Sequence, residues 1–428
     1  MLKIWLGYNM NKETLAIVSS YDELCGNASY TKALVKELSQ YFDVTVVPLD
    51  VDLLRKGNNK RIKQHIQKTC DELRTFDCVN IQLEAGLFGS KISSILRNFL
   101  AVAKASKKLV VTMHRYQSRE KYPGIRALAK HLLFRSIKRY VKEWKIAYAN
   151  NRYVPFYRSV IKYCQSNDIP IIAHTKRDRK NIMLDFDYDK IYDHPLCFYS
   201  QDEIKAVKDN YNKETFCKDL GLDKDKKYIG IFGFINAYKG HETAIRSLIY
   251  LPQNYELLIC GTQHPHTIRL EESINPYIKD LLKVIDTLGL STRVHFHRLA
   301  SDDDFLKALI HCDYNVLPYL EVMQGGSAIA ALSLESNSKA LFSQNLAFFE
   351  LEKYAPDSFK MFSIGNYMEL ASAVLNYDQT KFEPGLKNYH NKYNIHTSGL
   401  LYRDLLSRAY DKKRVNDSVQ TNLIKATS

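Results

Sequence analysis

The sequence lacks any stretch of about 18–20 apolar residues, the length a helix needs to cross a bilayer, so no membrane-spanning segment is expected. The N-terminus, MLKIWLGYNMNKETLAIVSS, lacks a basic start, a long apolar run and a small-residue cleavage site. No secretory signal is expected, and the expected location is the cytoplasm. The eight cysteines, at positions 25, 70, 78, 164, 197, 217, 260 and 312, form no C-x-x-C pair and no zinc-ligand spacing beside paired histidines. That pattern argues against a disulfide scaffold and fits reduced core residues. No short tandem repeat is visible, and no Asp-x-Asp is placed after a strand in a way that suggests a metal site. Asp302, Asp303 and Asp304 follow a strand and open a helix, where acids serve as capping charges. No metal or cofactor is expected.

What is present is an ordinary globular composition, 45% hydrophobic and 25% charged, over 428 residues. That length suggests two domains. In the first half LAIVSS, DVTVVPL, FDCVNIQL, KLVVTMH and IPIIAHT are apolar, β-branched strand candidates that alternate with helical spacings such as YTKALVKELSQYF. The second half repeats the pattern, with strands KYIGIFGF, YELLICG, RVHFH, YNVLPY and KALFS. The connection over roughly residues 185–227 reads as polar and irregular, and residues after about 413 read as a polar tail. Alternating strands and helices with apolar strands argue for parallel sheets covered on both faces, with ligands at the carboxyl ends of the strands.

Four segments stand at such strand ends. Gly233-Phe-Ile-Asn-Ala-Tyr-Lys239-Gly240 follows KYIGIF and precedes a helix. The glycine lets backbone approach a phosphate, and the lysine can neutralise a diphosphate; a plain glycine turn with a solvated lysine explains the same residues. Glu321, Gln324, Gly325, Gly326 and Ser327 lie in a segment that opens an apolar helix. Free amides there suit an anion, and an ordinary serine N-cap is the alternative. Gly26 and Asn27, in Cys25-Gly26-Asn27-Ala28, precede the first long helix, as either a sugar-facing loop or a simple turn. His114 ends KLVVTMH, where it either meets a sugar or acceptor hydroxyl or is structural; His174 ends IPIIAHT in the same way.

In this order the segments resemble the retaining glycosyltransferases of family four, which have the GT-B fold. The resemblance spans roughly residues 14–410. It is densest over GFINAYKGHETAIRSLIYLP, YELLICG, RVHFH and CDYNVLPYLEVMQGGSAIAALSLESNSKALFS. The first half fits the subset with a CGNAxYT-like stretch, then NIQLEAGLFG and VVTMH. The resemblance implies an α/β chain of two Rossmann-like domains with parallel sheets facing across a cleft, and a C-terminal helix crossing back to the first domain. The expected domains are 1–200 for the acceptor, 201–395 for the donor, and 396–428 for the returning helix and tail.

By the same resemblance the chain is a hexosyltransferase. It would move a sugar, with retention, from a nucleotide-diphosphate sugar to a glycan or lipid-linked acceptor in bacterial surface polysaccharide or glycolipid synthesis. His114 and Lys239 would act at the reacting centre. Gly26, Asn27, Gly233, Lys239, Gly240, Gly261, Glu321, Gln324, Gly325, Gly326, Ser327 and Glu335 would line the donor. Several positions depart from the family. Phe234 stands where many members have arginine, and Arg298 where a glycine is common. Gly325 and Ser333 occupy the places of a glutamate pair, with Glu335 about two residues from the second. These departures leave the nucleotide and the ribose ligand open. They also motivate the alternative of a catalytically weak sugar- or nucleotide-binding protein of the same fold.

The net charge of +14 is concentrated. Between Arg115 and Lys162 stand 13 Lys or Arg against two acids, Glu120 and Glu143, a net of +11. Leu128, Leu132, Leu133, Ile137, Tyr140, Val141 and Trp144 recur among them at spacings of three and four. Residues 115–165 thus suit an amphipathic helix on an anionic membrane surface, or a basic helix packed on the first domain with its lysines in water. No nucleic-acid-binding module is recognised, so nucleic acid is not an expected partner.

Overall fold

The computed structural model describes residues 12–21, 26–134, 136–263, 274–299, 301–320, 326–336 and 338–407, without the side chain of Asn150. Glu321, Gln324 and Gly325 lie outside the described residues. The chain forms two compact units. The first runs to His194 and resumes at Gly399; the second runs from Pro195 to Ser398.

The first unit contains strands β1 (Thr14–Ser19), β2 (Asp43–Pro48), β3 (Cys78–Leu83), β4 (Leu109–Met113), β5 (Ile171–Ala173) and β6 (Ile191–Asp193). They form one sheet in the order β2-β1-β3-β4-β5-β6. Every pairing is parallel. Parallel neighbours need crossover connections, which the intervening helices supply. All six residues of β3 and all five of β4 are buried, so the centre of the sheet is covered on both faces. On one face of β3, Val79, Ile81 and Leu83 enter the main apolar core with Phe99, Val111 and Phe156. On the other, Cys78, Asn80 and Gln82 are equally buried. That face meets the helix Ile395–Leu406: the Cys78 thiol donates to the Leu406 carbonyl, and Thr112 is 2.6 Å from the Tyr402 hydroxyl. Gly399 brings the last helix, Ile395–Leu406, against Glu37 of the helix Gly26–Leu38.

The second unit contains β7 (Lys227–Phe232), β8 (Tyr255–Cys260), β9 (Val294–His297), β10 (Tyr314–Leu317), β11 (Lys339–Ser343) and β12 (Lys360–Phe362). Its order is β12-β11-β10-β7-β8-β9, also parallel throughout. Read from the far edge, this is the doubly wound order of dinucleotide-binding domains. Alternation along the strands sorts side chains into two cores. Ile229, Ile231, Val316 and Leu341 enter one, and Leu317, Ala340 and Phe342 the other.

The connection read as irregular is ordered. It holds β6 and the helices Gln201–Asn210 and Lys213–Leu220. Half of the residues in each helix are charged, so periodicity hides them. Their starts are marked instead: Ser200 and Glu203 form a reciprocal capping box, and Asn212 accepts from the Thr215 amide. Seven described cysteines are buried and free.

Candidate functional site

In doubly wound sheets the chain leaves neighbouring strands in opposite directions at one place, and the loops there open a crevice at the strand ends. In the second unit that place lies between β7 and β10. The loop after β7 carries Gly233 to Gly240, and the loop after β10 leads to Ser327. Two of the motifs separated by nearly ninety residues of sequence therefore meet at one switch point.

They are tied through Lys239. Its ammonium donates to the Phe232 carbonyl at 3.0 Å and to the Tyr319 hydroxyl at 3.2 Å. Tyr319 in turn lies 3.4 Å from Ser327 Oγ. Lys239 is only 5% exposed and sits 5.0 Å from the centre of the Tyr319 ring. Burial lowers its pKa and raises that of Tyr319 to about 12. A lysine so placed is held rigidly, unlike a solvated side chain.

Glycine is required around it. Gly233 has φ +95°, and a Cβ there would come within 2.8 Å of the Lys239 nitrogen. A Cβ on Gly240, φ +70°, would overlap the Pro318 carbonyl, and one on Gly261 would overlap the Gly233 carbonyl. The turns after β7, β8 and β10 thus pack backbone to backbone. Ser327 caps the helix Ala328–Glu335, accepting from the Ala330 amide at 3.3 Å. Gly326 beside it is exposed, with Leu196 the nearest neighbour to its open side.

Glu335 is placed differently. Its two carboxylate oxygens accept from the Phe198 and Tyr199 amides at 2.8 and 3.2 Å, and it is 2% exposed. Burial raises its pKa to about 8. The carboxylate clasps the segment that enters the second unit, and the structure does not bring it to Lys239 or Ser327 by any hydrogen bond among the described residues.

In the first unit the switch point lies between β1 and β3. Gly26 and Asn27 are the first two residues of the helix Gly26–Leu38, not a loop before it. The Asn27 carbonyl accepts from the Thr31 hydroxyl, whose oxygen also lies 2.7 Å from Ser19 Oγ at the end of β1. His114 follows β4, and its Nε2 is 2.7 Å from Gln82 Oε1 on β3. His174 follows β5, with Nδ1 3.1 Å from the His194 carbonyl. The two imidazoles lie 4.9 Å apart, and the Tyr30 ring meets each edge-on. Burial lowers the pKa of both, that of His174 to about 4; each imidazole is neutral near pH 7.

Sequence reasoning had Tyr319 within its motif but gave it no role, and did not single out Tyr30, Asn80 or Gln82. The signal for the last two was available, since Asn80 and Gln82 interrupt an otherwise apolar strand at alternate positions.

The basic segment forms the helices Ile125–Leu133, Ile137–Asn151 and Val154–Ser166. The first of these buries none of its residues. Ile125 is 86% exposed, Leu133 79% and Phe134 68%, with Val141, Trp144 and Ile146 also exposed. Lys138, Val141, Lys142, Lys145, Ile146 and Ala149 line one open groove, and their spacing puts them on one face of the second helix. No helix of the described residues is long and apolar enough to cross a membrane.

No family model matches the chain, and no curated protein matches it in sequence. Solved structures match nearly its whole length. A glycosyltransferase from Rickettsia africae ESF-5 superposes with a TM-score of 0.61 at 14% identity, over 93% of this chain and 100% of that one. HepE from Anabaena, in complex with UDP and glucose, gives 0.60 at 12%, over 91% and 98%. WaaG, a glycosyltransferase involved in lipopolysaccharide biosynthesis, gives 0.57 at 13%, over 92% and 100%. At these identities the likeness is one of fold: the two parallel α/β units are those of GT-B glycosyltransferases.

Proposed function

We propose that the protein is a glycosyltransferase whose second unit binds a nucleotide-diphosphate sugar. The observation that carries this reading is the Lys239–Tyr319–Ser327 link, which gathers a buried cation and a helix N-cap at the switch point of a doubly wound sheet. HepE, a neighbour in fold, is known in complex with UDP and glucose, which supports the ligand class. In this reading Lys239 and the amides near Gly326 and Ser327 face the diphosphate. The bond from the anomeric carbon to the diphosphate breaks, and its electron pair stays on phosphate oxygen. Lys239 stabilises that growing charge more in the transition state than in the ground state, without need of a metal. Retention of configuration, as the family resemblance implies, has the acceptor hydroxyl attack from the side the diphosphate leaves, its proton passing to the departing phosphate oxygen. His114 in the first unit meets the sugar or acceptor hydroxyl.

The acceptor is read as a glycan or lipid-linked sugar, at the inner face of a membrane. The groove of three lysines over Val141, Ile146 and Ala149 supports this, since lysine stems cover apolar floor while their heads reach anionic headgroups. WaaG, involved in lipopolysaccharide biosynthesis, supports the acceptor class. The test incubates purified protein with UDP-, GDP-, ADP- and CMP-sugars and lipid-linked acceptors, and measures nucleotide release and sugar transfer. Acceptor-dependent release supports the transferase. Tight binding with no transfer favours the weak binding protein, for which the Glu335 clasp is the specific observation.

A further inference from the structure

A partner that can only accept fixes which way a side-chain amide faces. The first unit supplies such a partner. Asn80 lies 3.1 Å from the Val110 carbonyl. A carbonyl oxygen only accepts, so the Asn80 atom facing it is the NH2 nitrogen. The same nitrogen donates to Thr112 Oγ1 at 3.0 Å. Asn80 Oδ1 must then be the atom 2.6 Å from Gln82, and it too only accepts. Gln82 therefore donates its NH2 to Asn80, which turns Gln82 Oε1 toward His114. That oxygen accepts, so the His114 nitrogen 2.7 Å away, Nε2, carries a proton.

We propose that Asn80 and Gln82 are positioning residues that hold His114 in its Nε2–H tautomer, presenting Nδ1 as the acceptor for a substrate hydroxyl. The identity of that hydroxyl rests on the transferase reading; the tautomer does not. The links among Asn80, Gln82, Thr112 and the Val110 carbonyl are buried, and Asn80, Gln82 and Thr112 have no exposed surface. Gln82 therefore has no water to turn toward, while His114, half-buried, keeps one side open. Burial and the neighbouring His174 keep His114 neutral, so Nδ1 keeps its lone pair. Among the described residues, the hydrogen bond of His114 is made through Nε2. Tyr30 and His174 hold the ring between them. His174 is fixed in the opposite sense, because the His194 carbonyl requires its Nδ1 to carry the proton. A wrong tautomer at a comparable histidine elsewhere costs orders of magnitude in rate with geometry intact, which gives the arrangement its purpose.

The test is nitrogen-15 NMR of the ligand-free full chain labelled at histidine, with the His114 signals assigned by a His114→Gln spectrum. Wild type is expected to show Nε2 as N–H and Nδ1 as a bare acceptor. Gln82→Met removes the acceptor and is expected to average the two nitrogens. It should also lower kcat by about tenfold or more, with the donor KM within about twofold. Gln82→Glu as a neutral carboxyl donates its O–H to Asn80 Oδ1 and accepts from Nε2–H, so it should restore the wild-type His114 tautomer at pH values below that carboxyl's pKa. Asn80→Leu lets the Gln82 amide turn over and should give a mixture. A wild-type Nδ1–H signal, or a tautomer unmoved in Gln82→Met, would overturn the proposal; the wild-type spectrum needs no variant to fold. Because these spectra need no substrate, they separate failure of the positioning from failure of the transferase reading, which nucleotide-sugar turnover decides alone.

Discussion

In the proposed function, Lys239 is the residue on which the chemistry of the second unit turns. Its ammonium is buried against a carbonyl and a phenol, and such a group has few ways to move. Replacing it with methionine keeps the volume and removes the charge. We predict that Lys239→Met lowers turnover by at least about a hundredfold, while its thermal midpoint stays within several degrees of wild type. Equal losses in activity and folded fraction would make the lysine structural. His174 supports a second prediction. Its pKa falls from 6.5 to about 4 on folding, so the unfolded chain binds more protons between those values. The stability it contributes is present above pH 6.5 and is lost as the pH falls toward 4. His174→Asn keeps a donor for the His194 carbonyl and has no such titration. Thermal melts at pH 7 and 5 should show a smaller acid loss in the variant, by up to about 1.4 kcal/mol per pH unit. Parallel losses in both proteins would contradict it.

At the scale of elements, the turns of the second unit are set by close backbone approach. Gly240 and Gly221 have nearly equal positive φ, 70° and 66°. Alanine at either meets the same local strain, about 1–2 kcal/mol. Only at Gly240 does the new Cβ strike a carbonyl, that of Pro318; at Gly221 nothing lies within 4 Å. Gly240→Ala should therefore be less stable than Gly221→Ala by about 2 kcal/mol, measured by urea unfolding. Equal values would mean the two turns do not pack as described.

The same elements show what the sequence reveals and what it hides. Ten strands were legible, because runs such as LVVTM and YELLIC are apolar and β-branched over five or six residues. β6 (IYD) and β12 (KMF) were not legible: β5 is equally short, but its IIA is wholly apolar, whereas these two each include a charged residue. The motifs after β7 and β10 were visible as glycine turns, but their meeting was not, since strand order is a tertiary fact. Glu335 was read from its distance along a helix. Sequence cannot show that the chain entering the unit brings two amides to its carboxylate. Ser327 lies where its motif predicted, at the start of a helix; the role of Tyr319 needed its hydroxyl to be seen between two loops.

For the whole molecule, the excess of positive charge falls on a few exposed helices of the first unit. Lys138, Lys142 and Lys145 share one face with Val141 and Ile146. Each lysine near an anionic surface contributes about 1 kcal/mol. Changing all three to glutamate should weaken binding to phosphatidylglycerol vesicles by more than about a hundredfold. It should leave turnover on a soluble acceptor unchanged. Undiminished vesicle binding would remove the membrane from the proposed function.

The most direct test of that function is the thermal midpoint of the full chain with UDP, GDP, ADP or CMP, with and without magnesium, in wild type and Lys239→Met. A ligand bound only by the folded state raises the midpoint. One nucleotide should raise it in wild type, to the same extent with and without magnesium, and markedly less in Lys239→Met. No shift with any nucleotide, or an equal shift in both proteins, would contradict a donor site built around Lys239.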